Sequence, residues 1–110
     1  MNQSENIWDK LLKIRTSGRD DSHSDQYRYP YEPTPYCVLE RLAVGGYIGK
    51  RNVLVDYGSG KGRVDFYLSC QVGCRTIGVE YDERIYERAL ENKRTCVSGG
   101  RCSFFLLSFG

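Results

Sequence analysis

The sequence predicts an α/β protein with parallel strands, and three observations carry that prediction. Two short apolar runs, Asn52-Val-Leu-Val-Asp-Tyr57 and Thr76-Ile-Gly-Val-Glu80, each carry an acid at or next to their end, Asp56 and Glu80. A helical pattern follows each run. Between the first run and its helix lies a turn with three alternating glycines. Strand, helix, strand, helix in this order makes a right-handed βαβ unit with parallel strands.

The elements follow in chain order. From Asn6 to Arg15, the residues Ile7, Trp8, Leu11, Leu12 and Ile14 gather on one side of a helix that docks on the core. A polar run, Gly18 to Asp25, reads as an exposed loop and contains the single histidine, His23, as a solvated side chain. Its Asp20, Asp21 and Asp25 lack a metal-ligand spacing. Tyr27, Tyr29, Tyr31 and Tyr36 then alternate with prolines, and packing around those prolines is their plain use. Thr34 can cap a helix whose first residue is Pro35, with Val38, Leu39, Leu42 and Ala43 turned inward and a stop at Gly45-Gly46.

The run from Asn52 to Tyr57, nearly all apolar, reads as a buried strand entering a tight turn. Arg63 to Cys70 forms the next helix, with Val64 and Tyr67 at i, i+3. After the second strand, Asp82 caps a helix reaching about Lys93, with Ile85, Ala89 and Leu90 on one face. Ser103 to Phe109 makes a third strand, apolar on both faces.

Composition excludes several functions. The chain has 110 residues and a net charge of +2, from 16 basic and 14 acidic side chains, which gives no overall electrostatic footprint for nucleic acid or an anionic membrane. No apolar stretch approaches the roughly 20 residues that span a bilayer. Five cysteines, an odd number, with no secretory segment ahead of them point to reduced thiols in the cytoplasm. Only Cys70-x-x-x-Cys74 nears a metal-ligand spacing, and Cys96 and Cys102 do not match it, so no metal is expected.

The chemistry concentrates at Asp56-Tyr-Gly58-Ser-Gly60-Lys-Gly62. Glycines let a strand turn sharply into a helix with its backbone bare enough for a ligand to approach. Glu80 closes the second strand at about the 20-residue separation that sets a carboxylate opposite a cofactor's ribose hydroxyls. Dinucleotide binders use Gly-x-Gly-x-x-Gly to aim a helix N-terminus at a pyrophosphate. Here Arg63 holds the place of the third glycine, which disfavours a nicotinamide-cofactor domain. Asp56 instead suits a cofactor with an ammonium group, held directly or through water. Lys61 and Arg63 flank the third glycine, where a cation can meet a cofactor's carboxylate, though solvation is the plainer reading.

Asp56 to Gly62, taken with Glu80, resembles the first two motifs of class I S-adenosylmethionine-dependent methyltransferases, over roughly Tyr31 to Arg94. The resemblance implies a Rossmann-like methyltransferase fold, N-terminal part only, with parallel strands 1 to 3 and flanking helices. It implies S-adenosyl-L-methionine as cofactor, the turn of Gly58, Gly60 and Gly62 beneath it, Asp56 at its methionine end and Glu80 on its ribose. Tyr81 would stand against the adenine, although simple packing explains a tyrosine there as well. The segment Tyr31-Glu-Pro-Thr34 is similar to the loop before the glycine motif in histone-lysine methyltransferases of the disruptor-of-telomeric-silencing type, where Tyr and Thr at this spacing reach the cofactor. A rigid proline turn and a helix cap account for the same residues. From Tyr29 to Arg84 the chain also looks like a group of small uncharacterised bacterial methyltransferases.

Residues 1–30 are then an N-terminal helix and polar loop, and 31–110 a partial cofactor-binding domain. The implied reaction is in-line methyl transfer to an unidentified acceptor, in which the protein aligns the reactants and excludes water. No residue is assigned as catalytic. A complete sheet of this family has about seven strands, so the resemblance implies a C-terminal truncation. The alternative is a non-catalytic cofactor-binding or interaction fragment, with a partner chain covering its exposed sheet edge.

Overall fold

The computed structural model describes residues 3–17 and 32–108. In chain order it contains α1 (Gln3–Leu12), α2 (Tyr36–Val44), β1 (Val53–Tyr57), α3 (Arg63–Gln71), β2 (Arg75–Glu80), α4 (Glu83–Thr95), a 3-10 turn (Gly99–Arg101) and β3 (Cys102–Leu106). The strands form one parallel sheet in the order β1-β2-β3, with Asp56 opposite Gly78 and Gly78 opposite Phe104. Helices α3 and α4 cross over between the strands, as the alternating pattern requires. Among the described residues no helix is long and apolar enough to cross a membrane.

The core lies between the sheet and the helices. Phe66 and Leu68 of α3, Leu39 of α2, Leu12 of α1 and Ala89 of α4 are fully or almost fully buried with Phe104 of β3. Trp8, Tyr36 and Tyr67 pack as an aromatic cluster joining α1, α2 and α3, with the Trp8 and Tyr67 rings edge to face at 4.9 Å. Asp82 caps α4 as expected, its carboxylate accepting from the Arg84 and Ile85 N–H groups.

Several local expectations are corrected. Helix α1 begins and ends about three residues earlier than its apolar pattern suggested. Its stop is a Schellman motif: Ile14 N–H donates to Asp9 O and Lys13 N–H to Lys10 O, with Lys13 left-handed at φ 62°. A lysine occupies the place where glycine is the usual signal. The inward face of α1 is Glu5, Trp8, Asp9 and Leu12, while Ile7 and Leu11 are exposed. Thr34 does not cap α2. Pro35 stands at that position without a side-chain bond, and the Tyr36 N–H is satisfied from outside by Glu5 Oε1 at 3.0 Å. Val38 turns outward, and Tyr36 takes its place in the core.

Strand β1, expected to be buried, is half-buried on one face, at Leu54 and Asp56, and exposed on the other. Val53, Val55 and Tyr57 are exposed, as is Phe105 of β3, so one sheet face and the β1 edge stand uncovered among the described residues. His23, the Asp20, Asp21 and Asp25 cluster, Tyr27, Tyr29 and Tyr31 lie outside the described residues.

Candidate cofactor site

The C-terminal ends of β1 and β2 open onto a cleft of about 360 Å³, the expected place for a ligand in an open parallel sheet. One wall is the glycine turn. Gly58, Gly60 and Gly62 all adopt left-handed backbone, at φ 75°, 59° and 94°. Side chains at these positions would strain the backbone, and at Gly58 and Gly60 they would also stand in the cleft wall. The turn is clipped to β2, since the Gly58 and Ser59 N–H groups both donate to Val79 O, at 2.7 and 3.1 Å.

Glu80 forms the opposite side and is almost fully buried. Its Oε1 accepts the Gly60 N–H at 2.8 Å, and its Oε2 accepts the N–H groups of Tyr81 at 3.1 Å and Asp82 at 3.0 Å. One carboxylate thus ties the glycine turn to the start of α4. With about four lone-pair sites on two oxygens, it keeps capacity for a ligand hydroxyl.

The cleft gathers Asp56, Gly58, Gly60, Glu80, Tyr81 and Thr34 from the residues expected on sequence. Tyr81 is exposed beside the half-buried Ile85, which gives the cleft a partly apolar side. Gly62 is not in the wall. It precedes α3, where an added Cβ would stand 2.5 Å from Phe66 Cε2 and 3.0 Å from Phe104 Cζ, so packing and backbone conformation explain it. Tyr31 lies outside the described residues.

Sequence reasoning missed the part played by Arg63. Far from solvated, it is buried at the start of α3. It ion-pairs with Glu5, donates from Nε to Thr16 Oγ1 at 2.7 Å and from Nη1 to Thr34 O at 3.1 Å, and stacks on the Tyr36 ring with Cζ 4.2 Å from its centroid. Asp9 completes the network, accepting from Thr16 N–H at 2.7 Å, Ser17 N–H at 2.9 Å and Tyr36 OH at 2.5 Å. Burial alone would raise the Asp9 carboxyl, but the hydrogen bonds, first that of Tyr36, hold it below the usual range. Burial and the Asp9 contact push the Tyr36 phenol well up. Two acids at i, i+4 on α1 were the available signal.

Asp65 was the other omission. It is fully buried on the first turn of α3, facing Asp56 of β1. Burial and then the neighbouring Asp56 charge push it up to about 9. Burial also raises Asp56, and the adjoining Asp65 side chain works against that rise. Ser59 Oγ, also buried in the cleft wall, has no hydrogen-bond partner among the described residues.

The fold has solved counterparts. An RNA methyltransferase from Salinibacter ruber in complex with S-adenosyl-L-homocysteine is 27% identical, with a TM-score of 0.65 over 70% of this chain and 50% of that one. The CcbJ methyltransferase from Streptomyces caelestis is 26% identical, with a TM-score of 0.56 over 76% of this chain and 38% of that one. A SAM-dependent methyltransferase from Thiobacillus denitrificans in complex with S-adenosyl-L-homocysteine is 16% identical, with a TM-score of 0.62 over 97% of this chain and 37% of that one. No protein-family model and no curated protein matches the sequence. The chain spans half or less of the length of these three structures. Its three parallel strands and flanking helices form a partial Rossmann-like methyltransferase fold.

Proposed function

We propose that the cleft binds S-adenosyl-L-methionine and that the protein serves methyl transfer from it to an acceptor. The observation that carries this reading is the meeting, on one cleft, of an acid, a left-handed glycine turn and a second acid at the end of β2. The site suits the ligand. Gly58 has open space where its side chain would be, so the cofactor can lie on bare backbone. Asp56 lines the cleft at the end of β1, where a carboxylate suits an ammonium group. Glu80 would accept from ribose hydroxyls, and Tyr81 with Ile85 would flank the adenine. Thr34, which lines the cleft, and Tyr31 would reach the cofactor as in the loop of the disruptor-of-telomeric-silencing type.

The bound cofactor supplies an activated methyl group on a sulfonium. The residues described here bind and orient it and keep water from the strand ends. The chain spans half or less of the length of the related structures, so methyl transfer is a proposal for the whole protein and cofactor binding a proposal for this part of it. Five free thiols fit a reducing, cytoplasmic setting.

A second reading has its own observation. The exposed Val53, Val55, Tyr57 and Phe105 face suits a cofactor-binding fragment that needs a partner over its sheet. Calorimetry with S-adenosyl-L-homocysteine and NAD in parallel tests the cofactor. Binding of the first alone supports the proposal, and binding of NAD alone overturns it.

A further inference from the structure

Asp65 is used by none of the cofactor contacts proposed above, yet it is a fully buried acid with neither side-chain oxygen bonded to an ordinary donor among the described residues. Directly against it lies Asp56, whose Oδ2 is likewise buried without such a donor. As two ionised carboxylates, neither could donate to the other, and three buried oxygens would be orphans beside a like charge. One proton between them turns the clash into a hydrogen bond.

We infer that Asp56 and Asp65 share a single proton, with Asp65 as the acid that donates to Asp56, and that Asp65 thereby positions the Asp56 carboxylate on the cleft. Its effect on the cofactor rests on the reading given under Proposed function. Asp65 is a positioning residue, since Asp56 lines the cleft and Asp65 does not.

The surroundings decide which partner keeps the proton. Asp65 is the more deeply buried of the two, and Asp56 borders the cleft. The thiols of Cys74, just before β2, and Cys102 on β3 also feel the Asp65 charge, and burial first and then that charge hold both above the usual thiol range. Arg63, on the same helix turn, is engaged by Glu5 and the Asp9 network. One negative charge remains on the pair, near the positive end of α3. It is directed to the cleft side, where a cationic ligand group can meet it. Without the Asp65 donor, the Asp56 carboxyl would rise further and its side chain would lose the contact that fixes its rotamer.

The test combines ¹³C carboxyl spectra of Asp-labelled protein with calorimetry using S-adenosyl-L-homocysteine, on wild type, Asp65→Asn and Asp65→Leu. The wild-type spectrum should show one aspartic carboxyl still protonated at neutral pH, and Asp65→Asn should lack it. Asparagine keeps a donor toward Asp56, so its affinity should stay within about threefold of wild type. Leucine removes the donor, so affinity should fall about tenfold and the acid limb of its pH profile should move to higher pH.

Aspartates all ionised at neutral pH would overturn the shared proton. Wild-type affinity and pH profile in Asp65→Leu would overturn the positioning role, and so would an Asp65→Asn as weak as Asp65→Leu. Should Asp65→Leu not fold, the wild-type spectrum and Asp65→Asn still decide. A protonated carboxyl without ligand binding would uphold the pair and refute the proposed cofactor. Binding without a protonated carboxyl would do the reverse.

Discussion

Glu80 holds the turn as well as facing the ligand, and Glu80→Gln separates these tasks. Its two oxygens accept three backbone N–H groups, from Gly60, Tyr81 and Asp82. Glutamine offers one oxygen, and its amide nitrogen must then face a donor. If the oxygen serves Tyr81 and Asp82, the buried Gly60 N–H is orphaned. If it serves Gly60, the other two are. An orphaned buried donor costs about 1–3 kcal/mol, and the bonds that survive lose their charge assistance, so the total is about 2–5 kcal/mol. Against the total stability of about 5–15 kcal/mol common for domains, that is a large fraction.

Urea unfolding followed by circular dichroism reads the effect. The midpoint should fall with the slope unchanged, and the thermal midpoint should drop by roughly 10–20 °C. A purely ligand-directed acid would behave differently, because removing it leaves unliganded stability untouched. An unliganded loss below about 1 kcal/mol would therefore refute the clasp, being no more than an average single substitution.

Other outcomes follow from neighbouring residues. Gly62→Ala should destabilise by about 2–4 kcal/mol, from its left-handed φ of 94° and the 2.5 Å approach to Phe66, read by thermal melting. Gly58→Ala meets open space, so it should cost only about 1–2 kcal/mol for its φ of 75°, yet weaken S-adenosyl-L-homocysteine binding in calorimetry. Arg63→Leu leaves Glu5 and Asp9 facing a buried gap and should cost about 3–5 kcal/mol in urea. In pH titrations the two buried acids act in opposite directions. The lowered Asp9 stabilises above its ordinary 3.8, and that contribution is lost as pH falls through its folded value, so Asp9→Asn should remove this acid limb. Asp65, raised to about 9, is protonated when folded and ionised when unfolded at neutral pH. Its contribution is full below 3.8 and declines as pH rises toward 9, by up to about 1.4 kcal/mol per unit, and Asp65→Asn should flatten that slope.

Much of the architecture was legible because it rests on local signals. The first two strands end at or next to an acid, Asp82 is an N-cap, and Gly58 and Gly60 mark a backbone that must bend. These are properties of a few adjacent residues, and the structure keeps them. What was hidden depends on partners distant in sequence. Arg63 looked like a surface cation because nothing within its own segment pairs with it. Its partners, Glu5, Asp9 and Thr16, lie roughly 50 residues upstream. The same network explains why Thr34 does not cap α2, since Glu5 already satisfies the Tyr36 N–H. Ile7 and Leu11 misled the helix face for a related reason, because polar Glu5 and Asp9 occupy the inward positions. Asp65 carries no local signal, and only the juxtaposition of β1 and α3 makes it a member of a buried pair. The uncovered face of β1 was equally invisible, because an apolar run does not say how many of its faces are covered.

The most direct test of the account is calorimetric titration of the purified chain with S-adenosyl-L-homocysteine, beside NAD as control. One ligand per chain is expected for the first, none for the second, and weaker binding in Gly58→Ala. No heat with S-adenosyl-L-homocysteine, or binding that Gly58→Ala leaves unchanged, would contradict it.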